Sequence, residues 1–227
     1  MKKQVLLLMT GLLFACSGIF ILLFYSMSLN AQNGIDISHH NNLTDKDWAE
    51  ILKNNVKFVY IKASEGKSFK DPAFKKHYNQ AKKHKLLIGA YHFYNDNCSP
   101  ESQFNNFINS VKGYELNLIP VIDFETGGFR NNYNKYNRLE NLRELILLFY
   151  DYYNVYPIIY TDYYLYNSTY SEIKSITDYF WINCGNKFFS KFIEADIKQY
   201  RISINKKEID FNTTDKLSKI IIKNNPH

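Results

Sequence analysis

Cysteine is scarce in this 227-residue chain, with three in all. Cys16 falls in an N-terminal apolar stretch, which leaves Cys98 and Cys184 for the rest of the chain, too few for a disulfide-stapled scaffold. Whether those two pair or stay reduced is left open by their spacing. No Gly/Ser-rich or Pro-rich linker, low-complexity tract or solenoid-period repeat interrupts the chain, so no second folded domain is required. Zinc-type ligand spacing is also absent; His39, His40 and His92 read as loop or structural residues, and no metal or other cofactor is expected. Nucleic-acid-binding motifs are missing too, so no nucleic-acid partner is expected, and a basic pI alone is poor evidence for one.

Charge is absent from Gln4 to Leu29, directly after Lys2 and Lys3. A basic start followed by an apolar run reads as a secretory signal or a signal-anchor, and about 20 apolar residues suffice to span a bilayer. The run is long for a cleaved signal, and Ser28-Leu29-Asn30-Ala31 makes a poor cleavage site. Either way the remainder is expected to be exported, and to be membrane-anchored facing the periplasm or cell exterior, or secreted. The expected organisation is therefore a signal or anchor over residues 1–32, one domain over 33–215 and a C-terminal tail over 216–227. Without Lys2 and Lys3 the 28 basic residues become 26 against 22 acidic ones, a net charge of +4. That mild bias suits an anionic polymer such as a bacterial wall, although Lys75-Lys76 and Lys82-Lys83 also read as solvated helix faces. A monomer is expected.

What is present is an alternation of strands and helices. Ile35–Ile37, Val56–Lys62, Leu86–Tyr94, Leu118–Phe124, Pro157–Thr161, Tyr179–Ile182, Ile197–Tyr200 and Glu208–Phe211 read as eight strands. Thr44–Lys53, Asp71–Lys83, Pro100–Val111 and Arg138–Tyr153 read as helices, the last with Leu142, Leu145, Ile146 and Phe149 at helical spacing. Repeated strand-helix units predict a parallel sheet, and eight strands predict closure into an α/β barrel.

The apolar tract Leu118-Ile119-Pro120-Val121-Ile122 ends in Asp123-Phe124-Glu125. Side chains two apart on a strand leave on one face, their Cα atoms roughly 6.5–7 Å apart, so Asp123 and Glu125 would share a pocket while Phe124 packs behind. Two close carboxyls do not ionise equally; one acid and one anion near neutral pH is the division of labour used in glycoside hydrolysis. A solvated strand end with two chance acids would look the same. The other strand ends decide between the two. Asp36, Lys62, Tyr91 to Tyr94, Tyr160, Trp181, Gln199-Tyr200 and Asp210 all stand where barrel chemistry sits, at the C-terminal mouth. Lys62 is expected to pair with carboxylates or substrate, and Tyr91, Phe93, Tyr160 and Trp181 to be sugar platforms.

Gly34-Ile35-Asp36-Ile37-Ser38-His39, Val59-Tyr60-Ile61-Lys62-Ala63-Ser64-Glu65-Gly66, Gly89-Ala90-Tyr91-His92-Phe93-Tyr94, Pro120 to Glu125 and Ile209-Asp210-Phe211-Asn212 resemble, in order, the motifs of glycoside hydrolase family 25, the Chalaropsis-type lysozymes or N-acetylmuramidases. The resemblance implies a single irregular TIM-like β/α barrel with fewer helices than the regular form. It implies peptidoglycan as substrate, cut at the β-1,4 bond from N-acetylmuramic acid to N-acetylglucosamine. Glu125 is then the general acid and Asp123 its anionic partner, with Asp36 and Asp210 tuning both. Asp123 would serve either the substrate's own acetamido group or an attacking water. Lys62, Tyr91, Phe93, Tyr160, Trp181, Gln199 and Tyr200 would contact sugar. The chain departs from the family pattern at Lys198, where Trp is common, and after Trp181, where Ile182 replaces the usual Tyr; both bear on the sugar subsites. A wall-binding module that keeps the barrel without turnover is the competing reading. Chitinase is disfavoured because Ile119 and Pro120 stand where a longer acidic run belongs.

Overall fold

A computed structural model describes residues 31–129 and 135–223. Among them no helix is long and apolar enough to cross a membrane; the apolar run 4–29 lies outside the described residues. In chain order the elements are β1 (Gln32–Ile37), α1 (Asp45–Lys53), β2 (Val56–Glu65), β3 (Phe69–Lys70), α2 (Phe74–Lys83), β4 (Leu87–Phe93), α3 (Pro100–Val111), β5 (Val121–Asp123), α4 (Lys135–Tyr153), β6 (Ile158–Asp162), α5 (Tyr163–Lys174), β7 (Phe180–Asn183), β8 (Ile197–Ile204) and β9 (Lys207–Thr214). The strands run in the order β1-β9-β8-β7-β6-β5-β4-β2-β3, and a further β1–β2 pairing closes the ring. β3 is a two-residue appendage paired to the end of β2.

Helices intervene as far as β7. After it the chain passes from β7 to β8 through a short 3-10 turn and from β8 to β9 through a hairpin. β9 therefore runs antiparallel to both neighbours, whereas an all-parallel sheet was expected. The two residues between Ile204 and Lys207 can only reverse the chain, whereas the longer segment between Asn183 and Ile197 is enough for β8 to run parallel to β7.

Local signals explain most element starts. Thr44 caps α1 in a reciprocal box with Asp47, Ser99 caps α3 ahead of Pro100, and Asp162 caps α5 by accepting from the Leu165 N–H at 2.8 Å. Thr44→Ala should cost about 1 kcal/mol, a loss of about 2–4 °C in Tm for a domain of this size, read by thermal unfolding. The helix α5 is absent from the sequence expectation. Its weak amphipathicity hid it, although Leu165, Thr169 and Ile173 are buried at four-residue spacing behind the Asp162 cap.

Two packing layers result. One lies between sheet and helices, where Trp48, Phe107, Leu142, Phe149 and Phe211 are buried. The other plugs the barrel interior with Phe58, Tyr60, Ile119, Val121, Ile158, Trp181, Ile197 and Ile220. Gly34 and Gly89 make room for that plug, because a Cβ at either would run into the rings of Phe58 and Tyr60. Ile220 belongs to the segment expected as a tail. Instead of trailing, residues 217–222 seal the lower end, with Leu118 bridging Ile221 and Ile119 N–H donating to the Ile220 carbonyl at 2.8 Å. Cys98 and Cys184 are both free thiols, and Cys184 is buried.

Candidate active site

At the C-terminal end of the parallel strands a cavity of about 540 Å³ opens, lined by Asp36, Lys62, Glu65, Tyr91, Phe93, Asp123, Glu125, Tyr160, Trp181, Asn183, Gln199, Arg201 and Asp210 among others. β5 ends at Asp123, but Glu125 keeps an extended backbone (φ −137°, ψ 166°), so both carboxyls still enter the same cavity. Phe124 packs away from it against Tyr94 and Phe129, as alternation requires. Gly127 keeps the space beside Glu125 open: a Cβ there would come within 3.3 Å of Glu125 Oε1 and of the Phe93 ring.

Burial governs the charges. Asp123 is enclosed, and desolvation followed by the charge of Glu125 pushes its carboxyl well above the usual range, against the pull of Lys62. Glu125 is also raised, by burial first and by the nearby Asp162 second, with Lys62 again opposing. Both carboxyls are therefore held above their ordinary range in one cavity, where the charge of either disfavours ionisation of the other.

Asp36 reaches in from β1, and its Oδ2 accepts from Gln199 Nε2 at 2.8 Å and from Asn212 Nδ2 at 2.9 Å. Burial and the charge of Asp210 nonetheless raise it to about 7. Its folded value lies above its ordinary 3.8, so the folded state binds the proton more tightly than the unfolded chain does. The penalty for holding Asp36 ionised is thus absent below about pH 4, grows through the acidic range and is complete above about pH 7. Asp36→Asn should remove that part of the slope and raise Tm at pH 8 relative to wild type by at least about 2–4 °C, while pH 4 melts stay close; pH-dependent calorimetry reads both.

Asp210 enters from the antiparallel β9, near the start of that strand and in register with Asp36. Arg201 holds it, with Nε 3.2 Å from Asp210 Oδ1 and Nη1 3.2 Å from Glu208 Oε2. Lys62 is 6 % exposed, its Nζ 2.8 Å from Glu65 Oε2 and 4.5 Å above the Phe93 ring. Tyr160 donates to Gln199 Oε1 at 2.9 Å and accepts from Asn183 Nδ2 at 3.3 Å. Trp181 is 2 % exposed, with Tyr60 and Tyr160 at 5.0 and 5.2 Å between ring centroids, so it forms the floor and offers no open face.

The structure thus brings together every site residue expected from the sequence except Tyr200. Tyr200 lies on the outer face of β8, buried against Phe211 at 5.6 Å, because its neighbours Gln199 and Arg201 take the inward positions. Four residues with direct parts in the network were missed. Asn183 and Arg201 follow from Trp181 and Gln199 by simple alternation, and Asn212 follows in the same way from Asp210. Glu65 does not: a register shift between Lys62 and Ser64 turns both Lys62 and Glu65 into the cavity. Of the histidines read as loop or structural residues, His40 lines the cavity. His92 is buried between Ser64 and Gln103, and His39 Nδ1 lies 2.7 Å from Asp71 Oδ2. Among the described residues no cluster of His, Cys, Asp or Glu could hold a metal ion.

The family model for Glycosyl hydrolases family 25 matches residues 35–187, from the strand of Asp36 to beyond β7. This chain belongs to glycoside hydrolase family 25. The family 25 barrel resembles the autolytic lysozyme of Clostridium acetobutylicum at 36% identity over 92 residues, 40% of this chain and 28% of that protein. Lysozyme M1 of Streptomyces globisporus is 38% identical over 96 residues, 40% of this chain and 32% of the relative. The chain thus spans about a third of the length of the curated relatives it matches. Among solved structures, a family 25 glycosyl hydrolase from Bacillus anthracis superposes with a TM-score of 0.64 at 27% identity, over 81% of this chain and 88% of that one.

Proposed function

We propose that this family 25 protein is a muramidase that hydrolyses the β-1,4 bond between N-acetylmuramic acid and N-acetylglucosamine in peptidoglycan. One observation carries the reading: Asp123 and Glu125 share a cavity in which burial holds both carboxyls above their ordinary range, with Asp36 and Asp210 facing them. A module that only binds wall needs aromatic surface and gains nothing from buried, proton-retaining acids.

The proton has to be on Glu125 when the leaving oxygen departs. Substrate contact with Asp123 keeps it there. An acetamido N–H donating to Asp123 favours the ionised form of that carboxylate and lowers its affinity for the proton, which leaves Glu125 as the acid. Asp123 then steadies the acetamido group as its carbonyl oxygen attacks the anomeric carbon, a recognised exception to the two-carboxylate scheme. Asp36, clamped by Gln199 and Asn212, and Asp210, clamped by Arg201, fix the electrostatic frame. Lys62 screens the pair and limits how far either is raised. The lysine-led apolar run 4–29 is read as the element that takes this barrel across the membrane to the wall. Incubating the protein with purified peptidoglycan tests the reading: soluble muropeptides are expected, and retention on wall without release would favour the binding module.

A further inference from the structure

Two buried polar atoms at the cavity have no hydrogen-bond partner among the described residues, and they are of opposite kinds: Trp181 Nε1, a donor, and Asp123 Oδ1, an acceptor once ionised. A buried N–H without an acceptor is costly, so its surroundings matter. The hydroxyls of the two rings packed on Trp181 are committed elsewhere, Tyr60 to the Ile119 carbonyl at 3.1 Å and Tyr160 to Gln199 at 2.9 Å. Below lies the apolar plug. The cavity that Trp181 lines is where an acceptor can arrive.

Asp123, Tyr160 and Trp181 form one row across β5, β6 and β7, each in register with the next. Two strand spacings place the Cα atoms of Asp123 and Trp181 about 9–10 Å apart. Their side chains therefore leave one face of the sheet two strands apart and line the same cavity, each with its unpartnered atom. We infer that Trp181 is a substrate-positioning residue for the 2-acetamido group of muramic acid, its indole N–H donating to the acetamido carbonyl while Asp123 accepts from the acetamido N–H. A carbonyl oxygen has two lone pairs; the indole takes one and leaves the other for the anomeric carbon. The inference rests on the muramidase reading for the identity of the sugar. It assigns Trp181 a role through its edge that its buried face cannot have.

Trp181→Phe keeps an aromatic ring in the plug and deletes the donor, at the cost of some buried volume that affects both glycans alike. With the full-length protein, kcat/KM on fully N-acetylated glycan should fall roughly 10- to 100-fold, while on glycan whose muramic acid is de-N-acetylated the variant should match wild type within about threefold. Equal losses on both glycans overturn the assignment, because a packing defect is blind to the acetamido group. A second measurement needs neither turnover nor the variant. The chain has two tryptophans, and an acceptor on the Trp181 N–H should red-shift wild-type indole emission when N-acetylmuramic acid is added and leave it unmoved by muramic acid. The same response to both sugars overturns the inference. Cleavage without acetamido selectivity defeats the inference alone, and selective emission without cleavage defeats the muramidase reading alone.

Discussion

Glu125→Gln should reduce release of muropeptides from purified wall by about 10²–10⁴-fold, the range that general acid catalysis supplies. The amide keeps the shape of the side chain and cannot deliver a proton to the departing oxygen. Folding should survive, because the carboxylate being replaced is held in the cavity at a cost: burial and the charge of Asp162 both oppose its ionisation. The variant should therefore melt no lower than wild type. Unchanged wall release by folded Glu125→Gln would remove Glu125 from the chemistry.

Asp123→Asn should be as damaging as Glu125→Gln on ordinary wall and almost harmless on wall whose muramic acid is de-N-acetylated. If Asp123 serves the acetamido group, removing the group and removing the carboxylate abolish the same step, and the two losses fail to add. Wild type itself should be slow on the modified wall. Were Asp123 the base for an attacking water, the substitution would cost the same factor on both substrates. A full multiplicative loss, or product of inverted anomeric configuration in the first turnover, would reject assistance by the substrate and leave the bond specificity standing.

Most of the strands and the inward-facing acids were legible in the sequence because both rest on period-two alternation next to Gly and Pro punctuation. The tract ending in Asp123-Phe124-Glu125 shows this best, since its two carboxyls reach one cavity although the paired strand stops at Asp123. Alternation also contained the answer for Tyr200. Placing Gln199 inward obliges Tyr200 to point outward, and its packing on Phe211 follows. Other features depend on pairings between distant segments. The shift that turns Glu65 toward Lys62 arises where β2 pairs with β4, which no local pattern records. The reversal of β9 follows from a two-residue hairpin, with Asn205 and Lys206 both at positive φ. The seal at Ile220 belongs to the short run Ile220-Ile221-Ile222, too brief to announce an element, and Ile220 is buried because the barrel's lower end is open to receive it while Ile221 stays exposed.

Reducing-end analysis of the released fragments tests the central claim most directly. Purified peptidoglycan is digested with the protein, the products are reduced with borohydride, and the terminal sugar is identified by mass spectrometry. The account predicts reduced N-acetylmuramic acid at the new ends, since the bond cut is the one on the muramic acid side. New ends carrying reduced N-acetylglucosamine, or no new ends from a folded protein that binds the wall, would contradict it.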